Sequence, residues 1–222
     1  MSLAVWNCAE EGASPDGAPA AHEPAEVEAG VFGQAPAATR GVPSIVTLTP
    51  VATDAEEGSA GADTPNEVDD TPVAPRVGAE EAVIDQFGLQ FSPRVLVVPV
   101  GGTVTFINSE GALTHNVQLR SITRDSTIVD DDTSPGQRLR VEITEAGGYD
   151  VLCDIHPGMT ALIFATEAPY AAVAADDGAF ALGRVPAGGY DLRIWTIESG
   201  LGEARLIEVG SGRNEIDPTM AR

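Results

Sequence analysis

No segment of this 222-residue chain keeps a helical hydrophobic period for more than two or three turns. What recurs is a short run of β-branched and apolar residues closed by glycine or proline. Val95, Val97, Val98 and Val100 precede Gly101-Gly102, and Thr103-Val104-Thr105-Phe106-Ile107 follows. Two such runs around a double glycine read as a hairpin. Leu139, Val141 and Ile143 alternate with Arg138, Arg140 and Glu142, the mark of a strand with one wet face. Gly147-Gly148 opens Tyr149-Asp150-Val151-Leu152-Cys153, in which Tyr149, Val151 and Cys153 share a face, and Thr160 to Thr166 is a further apolar run. Short strands at regular spacing with such turns imply an all-β sandwich or barrel.

Composition shifts divide the chain. Residues 1–27, rich in Ala, Glu, Pro and Gly, carry too little apolar surface to offset ordering entropy and are expected to be a disordered acidic tail. A strand-like run from Val42 to Val51 follows. The stretch 53–81 holds nine acids against Arg76 alone and reads as a mobile acidic insertion. From about Pro169 a second unit begins, spanning 168–217 before a short tail at 218–222. Ala171 to Ala174, Phe180 and Leu182, Tyr190 to Ile194, and Ala204 to Val209 make four strands. So small a module has little core of its own and must pack against its neighbour.

Charge narrows the partners. Thirty-four acids stand against twelve bases, all arginine, for a net charge of −22. Such a surface repels nucleic acid and anionic membrane and attracts a basic partner, the more strongly at low salt. Plain solubility, or adaptation to salt, accounts for the same charge equally well. No run approaches the eighteen or so apolar residues of a membrane span. Leu3 to Trp6 is too short for a signal peptide, and no basic residue precedes it. Val5-Trp6-Asn7 is a poor lipoprotein cleavage box, which leaves a lipid on Cys8 as a weak option. Two cysteines, Cys8 in the tail and Cys153 in a patterned segment, make no disulfide framework.

The chemistry concentrates in one place. Cys153-Asp154-Ile155-His156-Pro157-Gly158-Met159 has the form C-x-x-H-x-x-M directly after a strand, and His115 follows the strand that ends near Asn108. Thiolate, two imidazoles and a thioether form the ligand set of a blue-copper site, tolerable to both copper oxidation states. Each residue alone has a bland alternative: a buried packing cysteine, a hydrogen-bonded structural histidine, a core methionine. Their joint spacing favours the metal. Zinc is the next candidate, but it rarely takes methionine. Cys-His catalysis lacks an oxyanion device. His22, in the tail, has no assigned role.

These residues carry a resemblance. Phe91-Ser92-Pro93, the Val95 to Phe106 runs with Asn108, Thr114-His115-Asn116, and Gly147-Gly148-Tyr149 leading to Met159 resemble the cupredoxins, the plastocyanin and amicyanin group. The resemblance implies a Greek-key β-sandwich over 28–167, the run Gly30 to Leu48 supplying its opening strands. It implies one type 1 copper held by His115, Cys153, His156 and Met159, the Asn116 N–H donating to the cysteine sulfur, and His156 as the exposed edge through which electrons leave. The segment from Asp177 to Tyr190 is similar to carboxypeptidase regulatory-like (transthyretin-like) modules, themselves small β-sandwiches.

The expected function is that of a one-electron carrier in a periplasmic or extracellular compartment, monomeric, docking to a redox protein with a basic face. A copper-delivery protein without redox turnover, or a structural β-protein with a vestigial site, are the alternatives. No enzyme is expected: four side-chain ligands leave no open metal position, and only His22 remains for a second centre.

Overall fold

The computed structural model describes residues 30–51, 77–78 and 82–216, and within them the fold is all-β, with seventeen strands and no helix. The first two strands are β1 (Gly30–Gln34) and β2 (Ile45–Pro50). A middle group follows: β3 (Ala82–Phe87), β4 (Gln90–Ser92), β5 (Val95–Pro99), β6 (Gly102–Asn108), β7 (His115–Ser121), β8 (Ser126–Thr133), β9 (Arg138–Ile143), β10 (Gly147–Leu152) and β11 (Thr160–Thr166). The last group is β12 (Tyr170–Val173), β13 (Ala179–Gly183), β14 (Gly188–Thr196), β15 (Gly200–Leu201), β16 (Arg205–Val209) and β17 (Arg213–Ile216). The tails at 1–27 and 218–222, with Cys8 and His22, lie outside the described residues, as does the acidic stretch 53–81 apart from Val77 and Gly78.

The middle group closes into one sandwich. One sheet runs β4-β3-β6-β9 and the other β5-β11-β10-β7-β8. Period-two alternation turns Val104 and Phe106, Val117 and Leu119, Val141 and Ile143, and Tyr149 and Val151 into a shared core. Gly101-Gly102 does not make a hairpin. β5 pairs in parallel with β11, whereas β6 pairs with β3 and β9 in the opposite sheet. Val100 N–H donates to Thr166 O at 3.1 Å and Gly101 N–H to Ile143 O at 2.7 Å, so the chain changes sheets between two adjacent residues. Gly101, at φ 80°, supplies the left-handed backbone that a corner needs as much as a hairpin does.

The last group forms a second sandwich, and it takes in the first two strands. β1 lies between β13 and β17, and β2 lies between β12 and β14. The expectation that Gly30 to Leu48 opens the cupredoxin sheets is therefore corrected: both strands are central strands of the C-terminal module. The reason is core size. The six C-terminal strands, three of them of four residues or fewer, bury too little by themselves, and Val31, Ala35, Val46 and Leu48 complete the cluster of Tyr170, Phe180, Leu182, Tyr190 and Leu192. The first sandwich is thus an insertion between β2 and β12.

The two sandwiches meet through a third cluster of Ile45, Leu162, Phe164 and Trp195. The Phe164 and Trp195 rings lie 5.3 Å apart. A Cβ on Gly148 would come within 2.5 Å of the Trp195 ring, so glycine is needed there for close approach. The same local sequence opens a strand in each sandwich, Ala146-Gly147-Gly148-Tyr149-Asp150 and Ala187-Gly188-Gly189-Tyr190-Asp191. In both, the first glycine has positive φ (132° and 150°) and the tyrosine hydroxyl donates to the carbonyl four residues back, Glu145 at 2.8 Å and Pro186 at 2.9 Å. A tyrosine corner is the local solution in each case: the ring fills the core and its polar tip is satisfied by its own turn.

Candidate metal centre

The site lies at one end of the first sandwich, where β6, β7 and β10 run into loops. Asn108, fully buried at the end of β6, organises the first loop. Its Nδ2 donates to Leu113 O at 2.9 Å and Thr133 O at 2.7 Å, and its Oδ1 accepts from Glu110 N–H at 3.0 Å. The loop 109–114 is thereby held, and His115, the first residue of β7, is set with no solvent exposure. The second loop follows β10. Cys153 N–H donates to Met159 O and Met159 N–H to His156 O, both at 3.2 Å, and Gly158 takes φ 96° to close the turn. These bonds bring the seven residues from Cys153 to Met159 back on themselves.

The result is a convergence of donor atoms. Nδ1 of His115 lies 3.1 Å from Nδ1 of His156, and Cys153 Sγ lies 3.8 Å from the same His156 nitrogen. One donor atom from each of His115, Cys153 and His156 falls within 4.8 Å of the others. Cys153 and Met159 are buried in one core cluster, and His156 is half-buried. Asn116 N–H donates to Cys153 Sγ at 3.3 Å.

The donor set fits a metal ion. Bonds of about 2.0–2.1 Å to imidazole and about 2.3 Å to thiolate set such donors roughly 3.3 to 3.6 Å apart around a tetrahedral centre. The observed 3.1 and 3.8 Å bracket that range. Burial lowers the pKa of His115, and the neighbouring His156 lowers it further, against an opposing pull from Glu110. His115 therefore favours the neutral form, the only one with a lone pair for a metal.

The surroundings are acidic and partly apolar. Asp130, Asp131 and Asp132 stand exposed on edge strand β8, and Asp154 is exposed beside Cys153. Asn116 Nδ2 donates to Asp130 Oδ1 at 2.9 Å, and Gln118 Nε2 to Asp154 Oδ2 at 3.0 Å. Leu113 and Ile155, one from each ligand loop, are exposed at 42% and 45%.

Residues 79–165 match the family of copper binding proteins, plastocyanin/azurin family. This segment is a cupredoxin domain. The match covers the first sandwich and stops before the C-terminal module. The chain is 31% identical over 84 residues to "Plastocyanin, chloroplastic" of Chlamydomonas reinhardtii, an alignment covering 33% of this chain. It spans 55% of the length of that relative. Among solved structures, a reduced Cu(I) form of an amicyanin variant is 31% identical, over 40% of this chain and 86% of that one, with a TM-score of 0.36. A purple cupredoxin from Nitrosopumilus maritimus is 26% identical, over 39% of this chain and all of that one, with a TM-score of 0.34. The cupredoxin family binds copper, and in this domain the cluster of His115, Cys153 and His156 is the group able to hold a metal among the described residues.

Of the residues that sequence reasoning singled out, the structure brings His115, Cys153 and His156 together; beside them stands Glu110, which sequence reasoning did not name. Its Oε1 accepts from Gly88 N–H at 2.7 Å and lies 3.9 Å from His115 Nε2. The available signal was its place in the loop between Asn108 and His115, which is too general to single it out.

Proposed function

We propose that the protein holds one type 1 copper ion through His115, Cys153, His156 and Met159, and carries single electrons. The observation that carries this reading is the meeting of two imidazole nitrogens and a thiol sulfur at the end of the sandwich, with Met159 buried in the same core cluster as Cys153. Copper would supply the one-electron redox couple. The protein's part is to keep its donors still. Cys153 and His115 are anchored at strand ends and His156 by a hydrogen-bonded loop, so a change of charge at the site requires little movement. The Asn116 N–H, aimed at the sulfur, would withdraw charge from it and favour the reduced state. Four side-chain donors leave no open position, so the reading is a carrier and not an enzyme.

The half-buried His156 edge, with Leu113 and Ile155 exposed on the two ligand loops, would be the contact through which electrons pass. The aspartates beside it would steer a redox partner with a basic face. The rate of electron exchange with such a partner is expected to fall steeply as salt rises from 10 mM to 0.5 M, since screening shortens the Debye length from about 30 Å to below about 8 Å. A rate indifferent to salt removes the steering role. An exported compartment, periplasmic or extracellular, suits the site because cytosolic thiols compete for Cu(I). No helix among the described residues is long and apolar enough to cross a membrane.

The test is an absorption and electron-spin-resonance spectrum of the copper-loaded protein. An intense visible thiolate-to-copper band with a narrow copper hyperfine splitting is expected. A pale spectrum with wide splitting sinks the type 1 assignment. Normal colour with ready loss of Cu(I) to an acceptor and slow self-exchange moves the reading to copper delivery.

A further inference from the structure

The two sandwiches leave between them a cleft of about 570 Å³, within the range of small-molecule sites, about 300–1,000 Å³. One wall is the outward face of β2 and β14. Period-two alternation puts Asp191, Arg193 and Trp195 on that face, with Thr49 opposite Asp191 and Thr47 opposite Arg193. The facing wall comes from the first sandwich, with Thr123 beside Ala146 and Gly147 where β10 begins. The end of β11 and the link that follows it close the back, where the rings of Phe164 and Trp195 are buried. Neither sandwich alone forms this cleft.

Its polar groups are uncommitted. Asp191 is half-buried and Arg193 exposed, two residues apart on one face, yet neither joins an ion pair among the described residues. A guanidinium only donates and a carboxylate only accepts, so the pair offers both kinds of hydrogen bond. Thr166 Oγ1 accepts from Ala168 N–H at 3.0 Å and keeps its own proton to give. Thr47 Oγ1 donates to Arg193 O at 3.4 Å and keeps a lone pair.

These groups select a ligand by its charge and its hydrogen bonds. An anion is opposed by Asp191, by Glu167 at the rim and by the field of a chain with net charge −22. A cation meets Arg193. A wholly apolar molecule would strip water from Arg193, Asp191 and the threonines and return no partner, a cost that rises with each group covered. A neutral molecule rich in hydroxyls meets every condition. Each hydroxyl both donates and accepts, so one molecule can give to Asp191 and take from Arg193. Its C–H faces suit the aromatic back and Leu201, which is exposed at the rim.

We propose that this cleft is a binding site for a neutral sugar, whose hydroxyls donate to Asp191 and accept from Arg193. The site is separate from the metal centre. Gly147 and Cys153 mark opposite ends of β10, so about 20 Å of strand lies between the cleft and the donor cluster. The C-terminal module then has a recognition task that does not depend on copper.

The test is a proton–nitrogen NMR titration of the full-length metal-free protein with glucose, galactose, mannose, maltotriose and cellotriose. Each is taken to about 10 mM, enough to register a Kd of about 1 mM. At least one of them is expected to shift the amides of 47–49, 165–168 and 191–195, and to leave those of 153–159 in place. Arg193→Ala and Asp191→Ala are each expected to weaken binding at least about 10-fold, the effect of losing a hydrogen bond to a charged group. Arg140→Ala, an exposed arginine on β9, leaves it unchanged. Should Asp191→Ala lose spectral dispersion, Asp191→Asn and Arg193→Ala decide. No shift with any of the five sugars overturns the proposal, as do shifts confined to other surfaces or binding that survives both variants. Shifts in the cleft with the zwitterion dialanine and with none of the sugars overturn the ligand class.

Discussion

Replacing Cys153 with serine is expected to abolish the thiolate-to-copper absorption outright and to lower copper affinity by more than the roughly 100-fold that loss of a supporting partner causes. The thiolate is the one donor that gives the band its origin and suits Cu(I) best. The fold should survive. Cys153 is buried, and a serine hydroxyl in its place costs about 1–3 kcal/mol of stability at most. Circular dichroism and a thermal melt separate the two effects. A Cys153→Ser protein that keeps the colour would mean that the metal sits elsewhere, and the proposed site would be withdrawn.

Deleting residues 1–50 is expected to unfold the C-terminal module while the cupredoxin domain stays folded and still takes up metal. β1 and β2 are not edge strands that can be shed; each lies between two partners in its own sheet. Without them β13 and β17 have no common neighbour, and β12 is cut from β14. Val31, Val46 and Leu48 are fully buried. At about 1.5–3 kcal/mol each, their loss removes about 5–9 kcal/mol, comparable with the whole stability of a domain at about 5–15 kcal/mol. The cupredoxin core uses none of these residues. In a proton–nitrogen NMR spectrum, signals from 170–216 should collapse toward random-coil positions while those from 82–166 stay dispersed. A module that stays dispersed would show that the 30–50 segment is dispensable.

Much of the proposed centre is legible in the sequence because its parts are close along the chain or of unusual type. Cys153, His156 and Met159 sit within seven residues, and thiolate, imidazole and thioether together suit few ions other than copper. Strand positions were also legible, since alternation such as Leu139-Val141-Ile143 needs only neighbours along the chain. Strand partners were not. Gly101-Gly102 permits a hairpin and a corner between sheets alike, and the parallel pairing of β5 with β11, more than sixty residues on, decided for the corner. The run Gly30 to Leu48 carries the same alternation whichever sandwich receives it.

The amino-acid order by itself determined an all-β chain and a set of soft and imidazole donors at a copper-like spacing, because backbone period and ligand chemistry are local properties. Only the tertiary structure decided that β1 and β2 complete the far module, that His115 meets the Cys153 loop with its Nδ1 facing His156 at 3.1 Å, and that Glu110 stands behind its ring. The physical reason is the same throughout. A strand's partner and a buried donor's neighbour are set by which apolar faces must be covered and which polar atoms must be satisfied, and that is known only when the whole chain is packed.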